Sequence, residues 1–277
     1  MDAEVFLTHS NISEDDVHDR TVVVIDVLRA CSTIVTALDR GARAVMPVVD
    51  MAQAGKLASN LDPNVYRLGG ESGGEKIEGY HLGNSPQEYT RDVVEGRDII
   101  LNTSNGTRAL RRVKEADTLV AACFLNAGRV VDFVRETADA VTIVCAGRQN
   151  RLALEDTLCA GLLLDRLWDG HEPYPVTDSA HTAYTLYHTD REGLENALWG
   201  ANHAEQLARQ DYEEDLDYCF QVDAVPVLPY YAENRLRLYE ETVSAAHPVA
   251  PLQGSFGHLF AASPTVSRLN INPPNSF

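Results

Sequence analysis

Short β-branched apolar runs alternate with helical segments through the first 170 residues, and this alternation constrains the fold more than any other feature of the chain. The run VVVIDV at Val22–Val27 predicts a buried strand, and Cys31–Arg40, which ends at Gly41, predicts a helix. Strands that alternate with helices imply a sheet covered by helices on both faces. We therefore expect a layered α/β/α protein with a mostly parallel or mixed sheet.

The alternation continues to Trp168 and then changes character. Further strands are predicted at Ala42–Val49, Ile99–Asn102, Thr118–Ala122 and Ala140–Cys145, and further helices at Ala52–Asn60, Thr107–Lys114, Ala127–Thr137 and Leu154–Trp168. Beyond Trp168 we predict helices at Ser179–His188 and Gly193–Arg209, then a helix end and a last strand within Glu213–Val227.

The predicted elements suggest one catalytic unit over residues 1–240. A division into two α/β lobes, at about 1–115 and 116–240 with the site between them, stays open. The proline-containing stretch 241–277 has little periodicity and predicts a weakly structured C-terminal tail.

The composition excludes several classes of function. The net charge is −18, and the only lysines are Lys56, Lys76 and Lys114, so no basic surface is available for nucleic acid. Such a chain can still bind a small anion through local arginines, helix N-termini or a metal. No apolar run reaches the roughly 18 residues that span a bilayer, and no secretory signal is evident, so we expect a cytoplasmic protein without a membrane partner. Five widely spaced cysteines predict neither a disulfide framework nor a zinc site.

Polar clusters follow four of the predicted elements, where α/β proteins bind ligands. In the first cluster, Asp26 ends an apolar strand, where a carboxylate is costly unless it is paired or bound to a metal. Arg29 offers a fork for phosphate or carboxylate. Ser32 lies at a helix start, where main-chain N–H groups favour anions.

The second and third clusters are rich in glycine, amide and hydroxyl groups. In the stretch from Gly69 to Pro86, Glu71 is a candidate metal ligand or base, and Asn84 and Ser85 can orient an oxyanion. In the turn around Asn105-Gly106-Thr107, a strand ends and a helix begins, so several donors can face one anion.

The fourth cluster runs from Cys145 through Gly147 to Glu155 and Asp156. Adjacent helical residues point about 100° apart, so we expect one of the two carboxylates to bind a metal while the other supports it. Cys145 and Arg151 also have the C-x5-R spacing of cysteine-dependent phosphatases, in which a thiolate attacks phosphorus. That alternative stays open.

Together these motifs resemble the 2-phosphosulfolactate phosphatase family, the magnesium-dependent enzymes of coenzyme M biosynthesis and their bacterial relatives. The resemblance covers roughly Val5 to Pro229. The motifs that carry it are Val24–Thr33, Gly70-Glu71, Gly83–Pro86, Asn105–Thr107, Cys145–Gly147, Glu155-Asp156, Ala160-Gly161, Asn202–Ala204 and Asp215–Cys219.

The resemblance implies Mg2+-dependent hydrolysis of the phosphate ester of a small 2-hydroxy acid, with 2-phospho-3-sulfolactate as the named substrate. Three sets of residues are then expected to form the site. They are Asp26, Glu71 and Cys145 as catalytic candidates, Asp26, Glu71, Glu155 and Asp156 around the metal, and Arg29, Ser32, Asn84, Ser85, Asn105, Gly106, Thr107 and Gly147 around the substrate.

The sequence leaves the nucleophile open among a metal-bound water, Asp26 and Cys145. Leu28 stands where a haloacid-dehalogenase-type signature would need a second Asp, which excludes that family in its usual form. Candidate acids for the leaving group are His81, His181 and His203. A non-catalytic binder of sulfonated or phosphorylated acids is the remaining alternative, and a homodimer is expected only on general grounds.

Overall fold

The computed structural model describes residues 1–171, 173 and 175–240. Residues Met1–Glu240 form one compact unit. The predicted tail, 241–277, lies outside the described residues. Within the described ranges, no helix combines the length and the apolar character needed to cross a bilayer.

The described part of the chain contains one ten-stranded sheet with the order β1-β8-β2-β7-β9-β10-β3-β6-β4-β5. Its strands are β1 Asp2–Phe6, β2 Thr21–Ile25, β3 Ala44–Val48, β4 Tyr66–Ser72, β5 Glu75–Lys76, β6 Asp98–Asn102, β7 Thr118–Ala122, β8 Ala140–Cys145, β9 Pro229–Ala232 and β10 Arg235–Leu238. Five of the neighbouring pairs are parallel, which confirms the prediction of an α/β protein with a mixed, mostly parallel sheet.

Helices cover both faces of this sheet. They are α1 Ala30–Asp39, α2 Met51–Ala58, α3 Arg91–Val94, α4 Gly106–Arg112, α5 Ala127–Thr137, α6 Leu154–Leu167, α7 Asp178–Asp190, α8 Leu194–Trp199, α9 Asn202–Ala208 and α10 Glu213–Cys219. Successive side chains of β6 alternate between two hydrophobic clusters: Ile99 and Leu101 join the main core, and Ile100 joins a smaller one with Ala54 of α2. The alternation shows that β6 is buried on both faces.

The parallel strands form two groups. Strands β1, β8, β2 and β7 make the first group, and β3, β6 and β4 make the second. The antiparallel hairpin of β9 and β10 lies between them and separates the two parallel groups. Because β2 lies between β7 and β8, the sheet is not divided at residue 115, where the two lobes would meet.

The hairpin itself was not predicted, and neither was β1. The two-residue turn of the β9–β10 hairpin, Glu233-Asn234, has φ values of 52° and 61°, the backbone of a tight hairpin turn. The prediction of a last strand within Glu213–Val227 is wrong, because no strand lies between Cys219 and Pro229. There Asp223 N donates to Phe124 O at 3.0 Å and Val225 N donates to Leu125 O at 2.8 Å, so this segment packs along the start of α5.

The helix expected over Gly193–Arg209 is two helices. Helix α8 ends at Trp199 and α9 begins at Asn202, with Gly200 and Ala201 between them. The break turns α9 toward the loops that follow β4 and β8.

Candidate functional site

A cavity of about 460 Å³ lies where the carboxyl ends of the two strand groups meet. It is lined by Asp26, Leu28, Arg29, Glu71, Gly73, Gly74, Asn84, Thr103, Ser104, Asn105, Arg148, Gln149, His203 and Gln206. All four predicted polar clusters contribute to this lining, and α9 adds two residues that were not predicted to bind substrate. A second cavity, about 650 Å³, shares Glu71, Thr103 and Ser104 with the first and is not lined by Asp26, Arg29 or Arg148.

Asp26 follows β2 and is buried at the cavity wall. Its Oδ1 accepts a hydrogen bond from Ala30 N, at the start of α1, at 3.0 Å. The pKa of Asp26 is raised to about 6. Burial is the largest cause, the hydrogen bond from Ala30 and the charge of His203 oppose it, and the charges of Glu71 and Glu155 add to it. Its Oδ2 accepts no hydrogen bond from any described residue and is free for a ligand.

Asp156 joins two of the loops. It lies in the first turn of α6, and its Oδ1 accepts from Val27 N at 2.9 Å while its Oδ2 accepts from Gly147 N at 3.0 Å. Burial raises the pKa of Asp156 well above its usual range, and the nearby charges of Asp26 and Glu155 add to the effect. Both oxygens are therefore engaged in holding the loops after β2 and β8 together.

Glu155, the neighbouring residue, has a different partner. Its Oε1 lies 3.0 Å from Nδ1 of His203, which comes from α9 and lines the cavity. Glu155 is 2% exposed, so the pair is almost closed to solvent. Such a contact fixes the orientation of the imidazole through Nδ1, and Nε2 takes no part in it.

Glu71 connects β4 to the loop after β6. Its Oε1 accepts from Ser104 N at 2.7 Å, and its Oε2 accepts from Gly74 N at 2.8 Å and from Ser104 Oγ at 3.1 Å. Three donors hold this carboxylate in the cavity wall.

The guanidinium of Arg29 makes contacts that were not predicted from the sequence. Its Nη1 donates to Asp215 Oδ2 at 2.6 Å, its Nη2 donates to Gly74 O at 2.8 Å, and its guanidinium lies 4.0 Å from the centre of the Tyr212 ring. Asp215 also accepts from Ser85 Oγ at 2.6 Å. Arg29 thus lines the cavity, but the adjacent carboxylate of Asp215 neutralises its charge. The matched motif that begins at Asp215 was the one signal for this role.

The predicted substrate-binding residues divide into two sets. Asn84 and Asn105 line the cavity, and the buried Asn84 Oδ1 has no hydrogen-bond partner among the described residues. Gly106 packs beneath Asp26, where an added Cβ would lie 2.6 Å from Asp26 Oδ2.

The second set serves the loops and does not line the cavity. The hydroxyl of Ser32 donates to Val27 O at 2.7 Å, that of Ser85 to Asp215, and that of Thr107 to Thr103 O at 2.9 Å. Gly147 N donates to Asp156. Direct contact of Ser32, Ser85, Thr107 and Gly147 with substrate stays a prediction, and these hydrogen bonds give the four residues a role within the loops. Hydroxyl groups near helix starts commonly bond to their own backbone.

The cysteine alternative finds no support in the geometry. Cys145 is fully buried and does not line the cavity. Burial, followed by the charges of Asp156 and Glu155, raises the pKa of the Cys145 thiol well above its usual range, which opposes formation of a nucleophilic thiolate. Arg151 is exposed and lies outside the cavity.

Among the described residues, no group of three or more His, Cys, Asp or Glu side chains is arranged as a metal site. Asp26 Oδ2 and the second oxygen of Glu155 are the oxygens of the four predicted carboxylate ligands that accept no hydrogen bond from a described residue. Magnesium is commonly held by one or two carboxylates together with waters and substrate phosphate. The chemistry of these two oxygens suits Mg2+, and the predicted ligand set of Asp26, Glu71, Glu155 and Asp156 stays a prediction.

Of the three histidines considered as acids, only His203 lines the cavity. His81 Nδ1 accepts from Leu68 N at 2.9 Å, beside β4. His181 lies in α7, outside the cavity lining.

Comparison with known proteins identifies the family of this chain. The model of the 2-phosphosulpholactate phosphatase family matches residues 6–234. A protein of Caldanaerobacter subterraneus subsp. tengcongensis, named probable 2-phosphosulfolactate phosphatase, is 35% identical over 87% of this chain and 100% of its own length. Proteins with the same name from Pseudothermotoga lettingae and a Picosynechococcus species are 41% and 40% identical, over 77% and 76% of this chain and 90% and 88% of theirs.

Proposed function

The chain belongs to the 2-phosphosulpholactate phosphatase family, and from this membership and the cavity we propose that it hydrolyses the phosphate monoester of a small 2-hydroxy acid with Mg2+ as cofactor. The substrate we propose is 2-phospho-3-sulfolactate, which would give 3-sulfolactate and phosphate. The relatives carry this substrate in their names, and the conclusion for this chain rests on the residues below.

The observation that carries the proposal is a group of buried carboxylates, of which Asp26 lines the cavity and Glu155 contacts the cavity residue His203. Asp26, Glu155 and Asp156 are each at most 5% exposed, and their mutual repulsion contributes to the raised pKa values of Asp26 and Asp156. A phosphate ester with further acidic groups would be repelled from this wall unless a cation lay between them. A divalent cation relieves both the repulsion among the carboxylates and that of the substrate.

In this proposal each residue has a stated part. Asp26 and Glu155 would hold Mg2+, which supplies charge neutralisation for the phosphoryl oxygens when bound. Asn84 and Asn105 orient the anionic groups of the ester through their amides. As water attacks phosphorus and the bond from phosphorus to the ester oxygen breaks, His203, fixed through Nδ1 by Glu155, gives a proton from Nε2 to that oxygen. The hydroxy acid departs as an alcohol, and the water oxygen leaves with the phosphate.

The test is phosphate release from a panel of esters, measured with Mg2+ and with a chelator. The panel contains 2-phospho-3-sulfolactate, 2-phospholactate, 2-phosphoglycolate and phosphoenolpyruvate. We expect Mg2+-dependent release that is fastest with 2-phospho-3-sulfolactate and is lost in Asp26→Asn. The loss in Asp26→Asn excludes a contaminating phosphatase. The exposed Asp39→Asn is the control for removal of a carboxylate elsewhere and should behave as wild type.

Release that persists in the chelator would exclude the metal dependence. Absence of release from every ester, with measurable binding of them, would favour the non-catalytic binder. The cytoplasmic location and the homodimer stay predictions.

A further inference from the structure

We propose that Arg148 determines substrate specificity by binding the acidic group of the substrate that is distant from the phosphate, a carboxylate or a sulfonate. This inference rests on the proposed function, because it concerns the substrate of the same cavity. Arg148 was not among the predicted site residues.

The charges of the two arginines in the cavity are balanced differently. Arg29 forms an ion pair with Asp215 in which both side chains are at most 3% exposed, so its positive charge is neutralised inside the protein. Arg148 donates to Oε1 of Gln206, which is a neutral amide, and it forms no ion pair with any described carboxylate. Arg148 is therefore the guanidinium that keeps its charge for an anion in the cavity.

The main chain around Arg148 is fixed in a tight turn. Arg148 N donates to Arg151 O at 2.8 Å, and Arg151 N donates to Arg148 O at 2.9 Å. Between them, Gln149 and Asn150 have φ values of 52° and 58°, the left-handed conformation that such a two-residue turn requires. The turn begins three residues after the end of β8, so Arg148 lies close in the chain to a strand of the sheet.

Two contacts place this turn at the cavity. Ala146 N donates to Ile25 O at 2.7 Å, which sets the loop after β8 beside Asp26. Gln206 contacts Arg148 through its oxygen, and its Nε2 donates to Gly73 O at 3.4 Å. Gln206 thus connects the Arg148 side chain to the turn after β4 and keeps the guanidinium at the cavity wall.

The chemistry of the proposed substrate matches this arrangement. The phosphoryl group belongs beside Asp26 and Glu155, because the cation that these carboxylates would hold is needed to receive it. The remaining acidic groups need a cationic donor of their own, and a guanidinium gives carboxylate or sulfonate oxygens two parallel hydrogen bonds. An ester that carries phosphate alone makes no use of Arg148.

The experiment measures the binding of 3-sulfolactate and of inorganic phosphate by titration calorimetry, in the presence of Mg2+. The variants are Arg148→Gln and, as the matched control at the other end of the same turn, the exposed Arg151→Gln. We expect Arg148→Gln to weaken 3-sulfolactate binding by about 10- to 100-fold, as loss of hydrogen bonds to a charged group does. Phosphate binding should stay unchanged, and Arg151→Gln should bind both as wild type does.

Kinetics on the same variants gives the second readout. Arg148→Gln should raise KM for 2-phospho-3-sulfolactate and leave that for isopropyl phosphate unchanged. Equal weakening of 3-sulfolactate and phosphate would overturn the inference, because Arg148 would then contact the phosphate, and so would no weakening of either. A wild type that binds 3-sulfolactate through Arg148 but hydrolyses no ester would refute the proposed function alone.

Discussion

Removal of the carboxylate that holds Arg29 provides a direct test of how this cavity is built. Asp215 lies in α10, and its partner Arg29 precedes α1, 186 residues away in the chain. The change is Asp215→Asn, which preserves the shape of the side chain and removes its charge. The matched control is Asp217→Asn on the same helix, where the side chain is exposed.

The expected magnitude follows from the burial of the pair. The side chains of Arg29 and Asp215 are 2% and 3% exposed, and their charged atoms are 2.6 Å apart. Removing one partner of a buried ion pair costs about 3–5 kcal/mol, because the other charge stays buried without compensation. In a domain of this size that loss corresponds to a fall in Tm of about 6–20 °C. Asp217→Asn should change the free energy of unfolding by less than about 0.5 kcal/mol.

The assay is urea denaturation followed by circular dichroism, with Tm as a second measure. A double-mutant cycle with Arg29→Gln separates the pair from its surroundings, since the double variant should lose less than the sum of the two single variants. If Asp215→Asn were no less stable than Asp217→Asn, Arg29 would not be held as the structure indicates. The contrast between Arg29 and Arg148 would then lose its basis.

Three further predictions concern the carboxylates and the buried thiol. Cys145→Ser should turn over within about 3-fold of wild type, because burial raises the pKa of this thiol and keeps it out of the cavity; a variant without activity but with unchanged Tm would restore the thiolate mechanism. Asp156→Asn should lose roughly 10- to 100-fold in Mg2+ affinity or activity, since it supports the loops around the ion; an unchanged Mg2+ titration would contradict this role. Saturation with Mg2+, at 100 times its Kd, should stabilise the wild type by about 2.7 kcal/mol and should not stabilise Asp26→Asn. Equal stabilisation of both would place the ion elsewhere.

Local sequence was sufficient for the elements that position the site. The β-branched run of β2 and the strand β8 have strong local signals, and each is followed by a polar loop, so Asp26 and the Glu155-Asp156 pair were found from the chain alone. The β9–β10 hairpin was missed because its turn, Glu233-Asn234, lacks the glycine that usually marks such a turn. Its strands are also short, at four residues each.

The limits of prediction at the site have a different cause, because hydrogen-bond partners distant in sequence decide what each polar group does. Arg29 looks like an anion-binding fork until Asp215 is placed behind it. Ser85 looks like a ligand for an oxyanion until its hydroxyl is seen to donate to the same Asp215. Conversely, the C-x5-R spacing singles out Arg151, whereas Arg148 is the arginine of this loop that lines the cavity.

Glu155 and Asp156 have different hydrogen-bond partners, and this difference connects these observations. Two adjacent carboxylates in the first turn of α6 diverge by about 100°, so they meet different surroundings. Asp156 turns to the main chain, where its two hydrogen bonds fix the loops that carry Asp26 and Arg148. Glu155 turns to His203 at the cavity. The loop geometry therefore depends on a carboxyl group whose own pKa is raised, first by burial and then by the charges of Asp26 and Glu155. A site built in this way holds its loops at the expense of repulsion among carboxylates, and the cation that we propose would remove that repulsion without releasing the loops.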